Sequence, residues 1–157
     1  MAARAEIQTA RLRLRPLTAE DGPALVAAID DFAVSKWLSV VPFPYTDADF
    51  QHFLNDIAKP GSTWVIEDAE GFAGVVALEK ELGYWLAPRA HGLGYMTEAA
   101  RAVLAGHFAD TDTDVPSGYF EGNAPSLNVL TKLGFVEVGR RMNANRAQGR
   151  EDRKSVV

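Results

Sequence analysis

Cysteine is absent from all 157 residues, so the chain has no disulfide, no thiolate metal site, no iron–sulfur cluster and no cysteine nucleophile. Basic residues are the minority. Sixteen Lys and Arg against twenty-one Asp and Glu leave a net charge of −5 and a pI near 5.2, which sets most of the surface against a phosphate backbone. Nucleic acid is therefore excluded as a first expectation, and amines or other cations are favoured as partners. Long apolar runs are missing as well. The N-terminal Met1–Thr9 carries Arg4 and Glu6 with no apolar block behind them, so neither a signal peptide nor a membrane span is expected, and a cytoplasmic location follows as the default. Three scattered histidines, His52, His91 and His107, do not suggest a metal site. Repeats and low-complexity tracts are also lacking.

At 47% hydrophobic and 24% charged, the chain has the balance of one compact domain spanning 1–157. A domain of this length buries roughly two-thirds of its unfolded surface and needs no covalent staple. Alternation of Arg11, Leu12, Arg13, Leu14 and Arg15 predicts a strand from Arg11 to Leu17, leucines inward and arginines on a solvated face. Thr18–Asp21 and Thr46–Asp49 are capping-box patterns opening two helices; the second carries Phe50, Phe53, Leu54 and Ile57 on one stripe and stops at Pro60-Gly61. Between the helices, Trp37–Tyr45 is apolar but broken by proline, either core packing or a cleft wall.

Three strands follow, 63–67, 72–79 and 82–86, with antiparallel neighbours expected. Lys80-Glu81 is unsuited to a two-residue hairpin turn, which predicts either an irregular turn using Gly83 or a longer mobile loop some of whose residues are missing from this sequence. A helix from Tyr95 to Phe108 and a strand from Ser117 to Glu121 come next. A last helix opens at Asn123-Ala124-Pro125 with Leu127, Leu130 and Leu133 inward, before a strand from Phe135 to Val138. The charged tail holding Arg140, Arg141, Arg146, Arg150, Arg153 and Lys154 reads as solvated. The order β-α-α-β-β-β-α-β-α-β makes this an α/β chain with a mixed sheet and helices on both faces.

One segment stands apart: Tyr84-Trp85-Leu86-Ala87-Pro88-Arg89-Ala90-His91-Gly92-Leu93-Gly94-Tyr95-Met96, a strand, a glycine-bearing loop and a long helix. Such an arrangement offers free N–H groups and a positive helix end to a phosphate, and glycines let the backbone approach closely. The dinucleotide fingerprint fails because position 97 is Thr, and no Gly-Lys-Ser/Thr exists for a P-loop. Arg89-x-x-Gly92-x-Gly94 instead resembles the Q/R-x-x-G-x-G/A motif of the GNAT N-acetyltransferase superfamily. Further blocks look similar in the same order: Thr9–Leu17, Pro44-Tyr45-Thr46, Glu81–Pro88, Gly94–Ala99, and Gly122–Ser126 through Lys132–Phe135. Together they resemble the Rim-type branch, which includes ribosomal-protein and aminoglycoside-type acetyltransferases.

That resemblance implies a mostly antiparallel, splayed sheet, with the strand ending at Leu86 exposing backbone at Leu86 and Ala87 to the pantetheine arm of acetyl-CoA. It implies that amides from Arg89 through Gly92, Leu93, Gly94, Tyr95 and Met96 hold the pyrophosphate, and that Asn123 and Ser126 reach the cofactor. Ser126 is the candidate for returning a proton to the departing thiolate, with Tyr119 a weaker one. Among nearby carboxylates Glu81, ahead of Glu79, is the candidate base. No metal is implied, and the chain would work as a monomer or a homodimer.

The missing cysteine fits. Acetyl-CoA is already an activated thioester, so an amine can attack it directly if it is neutral, if an N–H faces the oxyanion, and if the sulfur receives a proton. An α-amine with pKa of about 7.7–8.0 is roughly 10–20% neutral at pH 7, against about 0.04% for lysine. A protein N-terminus or a small cationic amine is the expected acceptor. The alternative is a GNAT-like module that binds acyl-CoA without turnover. His91 and Arg89 also admit a plain solvated reading.

Overall fold

The computed structural model describes residues 5–36, 38, 41–145 and 150–156. Trp37, Ser39, Val40 and Arg146 lie outside the described residues. The N-terminal alternation forms a hairpin, β1 (Ile7–Gln8) and β2 (Arg13–Arg15), shorter than the expected strand. Its arginines lie on the solvent side as expected, Arg11 and Arg13 exposed and Arg15 half-buried, but they are ion-paired there. Arg13 pairs with Glu6 at 2.8 Å, and Arg15 pairs with Asp21 at 2.6 Å and Glu67 at 2.9 Å. Every one of those partners lies on a neighbouring element or turn that alternation alone cannot reveal.

Helix α1 (Gly22–Ile29) begins after Asp21, whose carboxylate accepts the Thr18 N–H at 2.8 Å. A single turn, α2 (Phe32–Ser35), follows, capped by Asp31 accepting from the Ala33 N–H at 2.9 Å. Helix α3 (Asp47–His52) opens on a reciprocal pair: Thr46 N–H donates to Asp49 at 2.9 Å and Asp49 N–H donates to the Thr46 hydroxyl at 3.3 Å. It then widens into a π-helical turn over Phe53–Ile57, which carries Ile57 off the stripe into solvent.

Strands β3 (Thr63–Asp68), β4 (Gly71–Leu78) and β5 (Leu82–Leu86) extend the hairpin into an antiparallel five-stranded sheet in the order β1-β2-β3-β4-β5. Because β4 ends at Leu78, paired with Leu82, the turn has three residues, Glu79–Glu81. No non-glycine residue adopts positive φ there, so the objection to Lys80-Glu81 disappears. Gly74 is dictated by close approach: a Cβ there would run into the Trp85 carbonyl oxygen and lie 2.9 Å from Leu86 Cα.

Helix α4 (Tyr95–Asp110), β6 (Gly118–Phe120) and α5 (Ala124–Lys132) follow as the periodicity predicts, except that Leu127 is exposed while Leu130 is buried. The expected strand at Phe135–Val138 is not formed, and Val136 and Val138 there are 73% and 76% exposed. The charged tail, for which no strand is expected, carries two. It is a hairpin, β7 (Gly139–Asn145) and β8 (Arg150–Val156), with β8 pairing β6 to give a sheet ordered β6-β8-β7. Charged strands lack the apolar alternation by which they would be recognised.

Two apolar clusters cover the two faces of the larger sheet. Alternate residues of each strand take opposite sides: Trp64, Ile66 and Val76 pack with α4 and α5 through Met96, Ala99, Val103 and Leu130, while Val75 and Trp85 pack with Leu25, Ile29 and Phe50. Leu38, Val41 and Tyr45 of the Trp37–Tyr45 segment join the second cluster as core packing, while Phe43 and Pro44 are exposed. Among the described residues no helix is long and apolar enough to cross a membrane.

Candidate functional site

Among the described residues the two sheets join at one backbone bridge and then part. Leu82 and Ser117 form a parallel bridge: the Leu82 N–H donates to the Pro116 carbonyl at 2.9 Å, and the Ser117 hydroxyl donates to the Leu82 carbonyl at 2.7 Å. Beyond that bridge β5 and β6 are in separate sheets. Main-chain groups alternate sides along a strand, so those of Leu82, Tyr84 and Leu86 turn toward β6 and those of Gly83 and Trp85 toward β4. The Ala87 N–H, next on the β4 side, donates to the Ala73 carbonyl at 2.7 Å. The result is a wedge, closed at Leu82 and open at Leu86, in which the backbone of Tyr84 and Leu86 faces a gap.

Side chains cross the wedge at its middle. The Tyr84 hydroxyl lies 2.8 Å from Ser126 Oγ and donates to the Ser126 carbonyl at 3.2 Å. Ser126 stands in the first turn of α5, where its N–H donates to the Asn123 side-chain oxygen at 3.5 Å. Burial pushes the Tyr84 phenol up to about 12, against the hydrogen bond from Ser126 that draws it down, so Tyr84 keeps its proton throughout the neutral range. The structure thus brings Asn123, Ser126 and Tyr84 together. Tyr84 escaped the sequence reading, although its two-residue spacing from Leu82 and Leu86 places it on the face that meets α5.

At the open end, Pro88–Ala90 form a single tight turn and His91–Gly94 an exposed loop that enters α4. Gly92 and Gly94 have φ of +75 and +77, a region that favours glycine. The N–H groups of Tyr95, Met96 and Thr97 open a 16-residue helix, and the intrahelical bonding starts with the Glu98 N–H donating to the Gly94 carbonyl at 3.2 Å. His91 Nε2 lies 2.9 Å from the Leu86 carbonyl, so the loop folds back onto the strand end.

Two candidate residues have settings that spacing did not reveal. The Arg89 guanidinium is turned to the β3–β4 turn, donating to Asp68 at 2.9 Å, Glu70 at 3.1 Å, and the carbonyls of Phe72 at 2.7 Å and Gly71 at 3.3 Å; only its backbone stays in the loop. Glu81 is exposed on the turn before β5, at the closed end of the wedge, a strand length of about 16 Å from the loop at ~3.3 Å per residue. Tyr119 lies on β6 and is partly buried against the α4–α5 cluster.

Arg89 holds the Asp68 carboxyl down at about 2, below its ordinary 3.8. A depressed carboxylate contributes stability that is complete above its unfolded pKa and lost as pH falls through the folded one. The melting temperature is therefore expected to fall between about pH 4 and pH 2. Asp68→Asn should remove part of that fall and lower the neutral-pH melting temperature, which thermal melts across pH 2–7 would read. An unchanged acid limb would detach Asp68 from it.

A model of the acetyltransferase (GNAT) domain matches residues 11–136. Among solved structures, the chain is similar to an acetyltransferase of the GNAT family from Bacillus anthracis, with a TM-score of 0.82 at 22% identity over 96% of this chain and 95% of that one. It is similar to Mycobacterium smegmatis RimJ in complex with CoA-disulfide, with a TM-score of 0.76 at 20% identity over 93% and 81%. The ribosomal-protein-S5-alanine acetyltransferase from Vibrio fischeri gives 0.74 at 15% identity over 97% and 95%. No curated protein matches the chain.

Proposed function

The chain belongs to the acetyltransferase (GNAT) domain family, and from that premise we propose that it transfers the acetyl group of acetyl-CoA to a primary amine by direct attack. The observation carrying this reading is the wedge between β5 and β6, with a glycine loop and helix N-terminus at its mouth and a hydroxyl pair across its middle.

The residues present fit the co-substrate. Glycines at 92 and 94 leave the amides of 92–97 open to a pyrophosphate, and nothing lies within 4 Å of where a Cβ on Gly92 would sit. The N–H and C=O groups of Tyr84 and the N–H of Leu86, whose carbonyl already meets His91, offer an extended, amide-bearing arm the pairing that β6 withholds. The arm runs about twelve bonds from phosphate ester oxygen to sulfur, some four residue-lengths, or roughly 13–14 Å at ~3.3–3.6 Å each. Measured back from the loop, that length brings the thioester level with Tyr84 and Ser126.

There Ser126 passes a proton to the departing sulfur and takes up the one that the newly acylated nitrogen sheds, so that no alkoxide is left, while Tyr84, which remains protonated, orients the serine hydroxyl. A β5 main-chain N–H facing the wedge stabilises the oxyanion. Glu81, beyond the thioester at the closed end, takes the proton of the incoming ammonium. Protein N-terminal α-amines are the favoured acceptor class, because they are already partly neutral at pH 7 and because the similar protein from Vibrio fischeri is a ribosomal-protein-S5-alanine acetyltransferase. Glu81→Gln is expected to lower kcat/KM about tenfold, a modest effect because an α-amine is partly neutral already, and to shift the acidic limb of the pH–rate profile. An unshifted limb removes Glu81 as the base.

The decisive experiment is thiol release from acetyl-CoA over a panel of peptides with free N-termini, lysine-blocked controls and polyamines. Turnover on α-amines is the expected result. Tight CoA binding with no turnover on any acceptor would instead support the non-catalytic module.

A further inference from the structure

The guanidinium that reaches the glycine loop is not the one inside the motif. Arg89 spends its donors on the β3–β4 turn. Arg11, on the turn between β1 and β2, lies 82 residues earlier in the chain than Leu93, yet its Nη1 donates to the Leu93 carbonyl at 2.8 Å. Its Nε donates to Glu98 Oε1 at 2.7 Å and its main-chain N–H to Glu98 Oε2 at 2.9 Å, while the guanidinium carbon sits 4.9 Å from the Tyr95 ring centroid. Nη2 lies 3.5 Å from the point a Cβ on Gly94 would occupy.

This anchoring leaves donors over. Of the five N–H bonds of the guanidinium, Nε uses one and Nη1 one, and among the described residues nothing accepts from Nη2. Glu98 is in turn neutralised: Thr9 Oγ1 donates to it at 2.6 Å, and although burial opposes ionisation, the hydrogen bonds from Thr9 and Arg11 hold its carboxyl below the ordinary range. The side chain is thereby ordered before any ligand arrives, so binding does not pay that entropy again. Arg11 lines a cavity of about 520 Å³ together with Gly94, Thr97, Glu98, Arg101 and Lys132, three cations against one carboxylate.

We propose that Arg11 is a phosphate-binding residue of the donor site, its Nη2 edge contacting the pyrophosphate seated on Gly92–Gly94. This rests on the acetyl-CoA reading above and deepens it. Arginine suits the place because its planar fork serves Glu98 and a phosphate at once, which an ammonium cannot do in the same geometry.

The test is product inhibition by CoA and by pantetheine, which shares the thiol arm but carries no phosphate. Arg11→Gln is expected to raise the CoA inhibition constant and the KM for acetyl-CoA about tenfold, with kcat, acceptor KM and the pantetheine constant unchanged. Its CoA affinity should also depend less steeply on salt, because one screened charge contact is gone. Arg11→Lys, which keeps the ion pair to Glu98 and guards against misfolding of the glutamine variant, should show the same pattern at about threefold. An equal rise for CoA and pantetheine would mean that Arg11 merely shapes the loop, and an unchanged CoA constant would mean that it does not meet the ligand; either overturns the proposal. If the wild-type protein binds CoA no better than pantetheine, the glycine-loop reading itself has failed, a separate and recognisable result.

Discussion

Gly92→Glu is expected to raise the Kd for CoA at least 100-fold while the protein stays folded. The site gives two reasons. Gly92 has φ of +75, so any side chain there costs about 1–2 kcal/mol of backbone strain. That cost is local, since nothing lies within 4 Å of the added Cβ and the loop is exposed. The larger effect is electrostatic. A carboxylate projecting over the helix N-terminus occupies the phosphate position with like charge, a penalty of roughly 3 kcal/mol or more, which is about 100-fold in affinity. Gly92→Ala separates the two reasons, because it carries the strain without the charge and should lose far less affinity. Calorimetric titration with CoA, beside a thermal melt, reads both. Undiminished affinity in the glutamate variant would remove the pyrophosphate from this loop.

Ser126→Ala is expected to lower kcat about 100-fold with little change in the KM for acetyl-CoA, since a positioned proton donor contributes about 10²–10⁴ and a thiolate departs readily enough to need the lower end. Tyr84→Phe should cost less, about five- to tenfold, because it removes one orienting hydrogen bond of about 1 kcal/mol and leaves the serine in place. The two act as a unit across 2.8 Å, so the double variant should be no slower than Ser126→Ala alone. Wild-type turnover in Ser126→Ala would end its role as donor; losses that simply multiply would show that Tyr84 acts independently.

The glycine loop and the hydroxyl pair differ in how they could be read. Arg89–Met96 is contiguous, and its two glycines, preceding strand and following helix all leave local marks, so the loop was visible as residue types in order. Ser126 was visible only through a resemblance. Tyr84 was an ordinary strand residue until α5 was laid against β5. Arg11 was harder still: Arg11, Arg13 and Arg15 have the period of a solvated row, and their carboxylate partners are remote or on other turns, Glu98 lying 87 positions away. Arg89 errs in the other direction. Its place at the head of the motif suggested a side chain near phosphate, whereas the guanidinium closes the β3–β4 turn.

By itself, the sequence determined the α/β character, the order of most strands and helices, the glycine loop between a strand and a helix and, through the missing cysteine, the exclusion of a cysteine nucleophile. These are properties of composition, period and contiguous motif, carried by neighbours in the chain. Tertiary structure alone decided where β5 and β6 part, that the charged tail is a hairpin whose β8 lies against β6, which hydroxyl faces Ser126 and which arginine meets the glycine loop. Each depends on contacts between segments far apart in the chain. Such contacts leave no local trace, because a strand edge, a tyrosine or an arginine has the same sequence signature whether its partner is solvent, another element or a ligand.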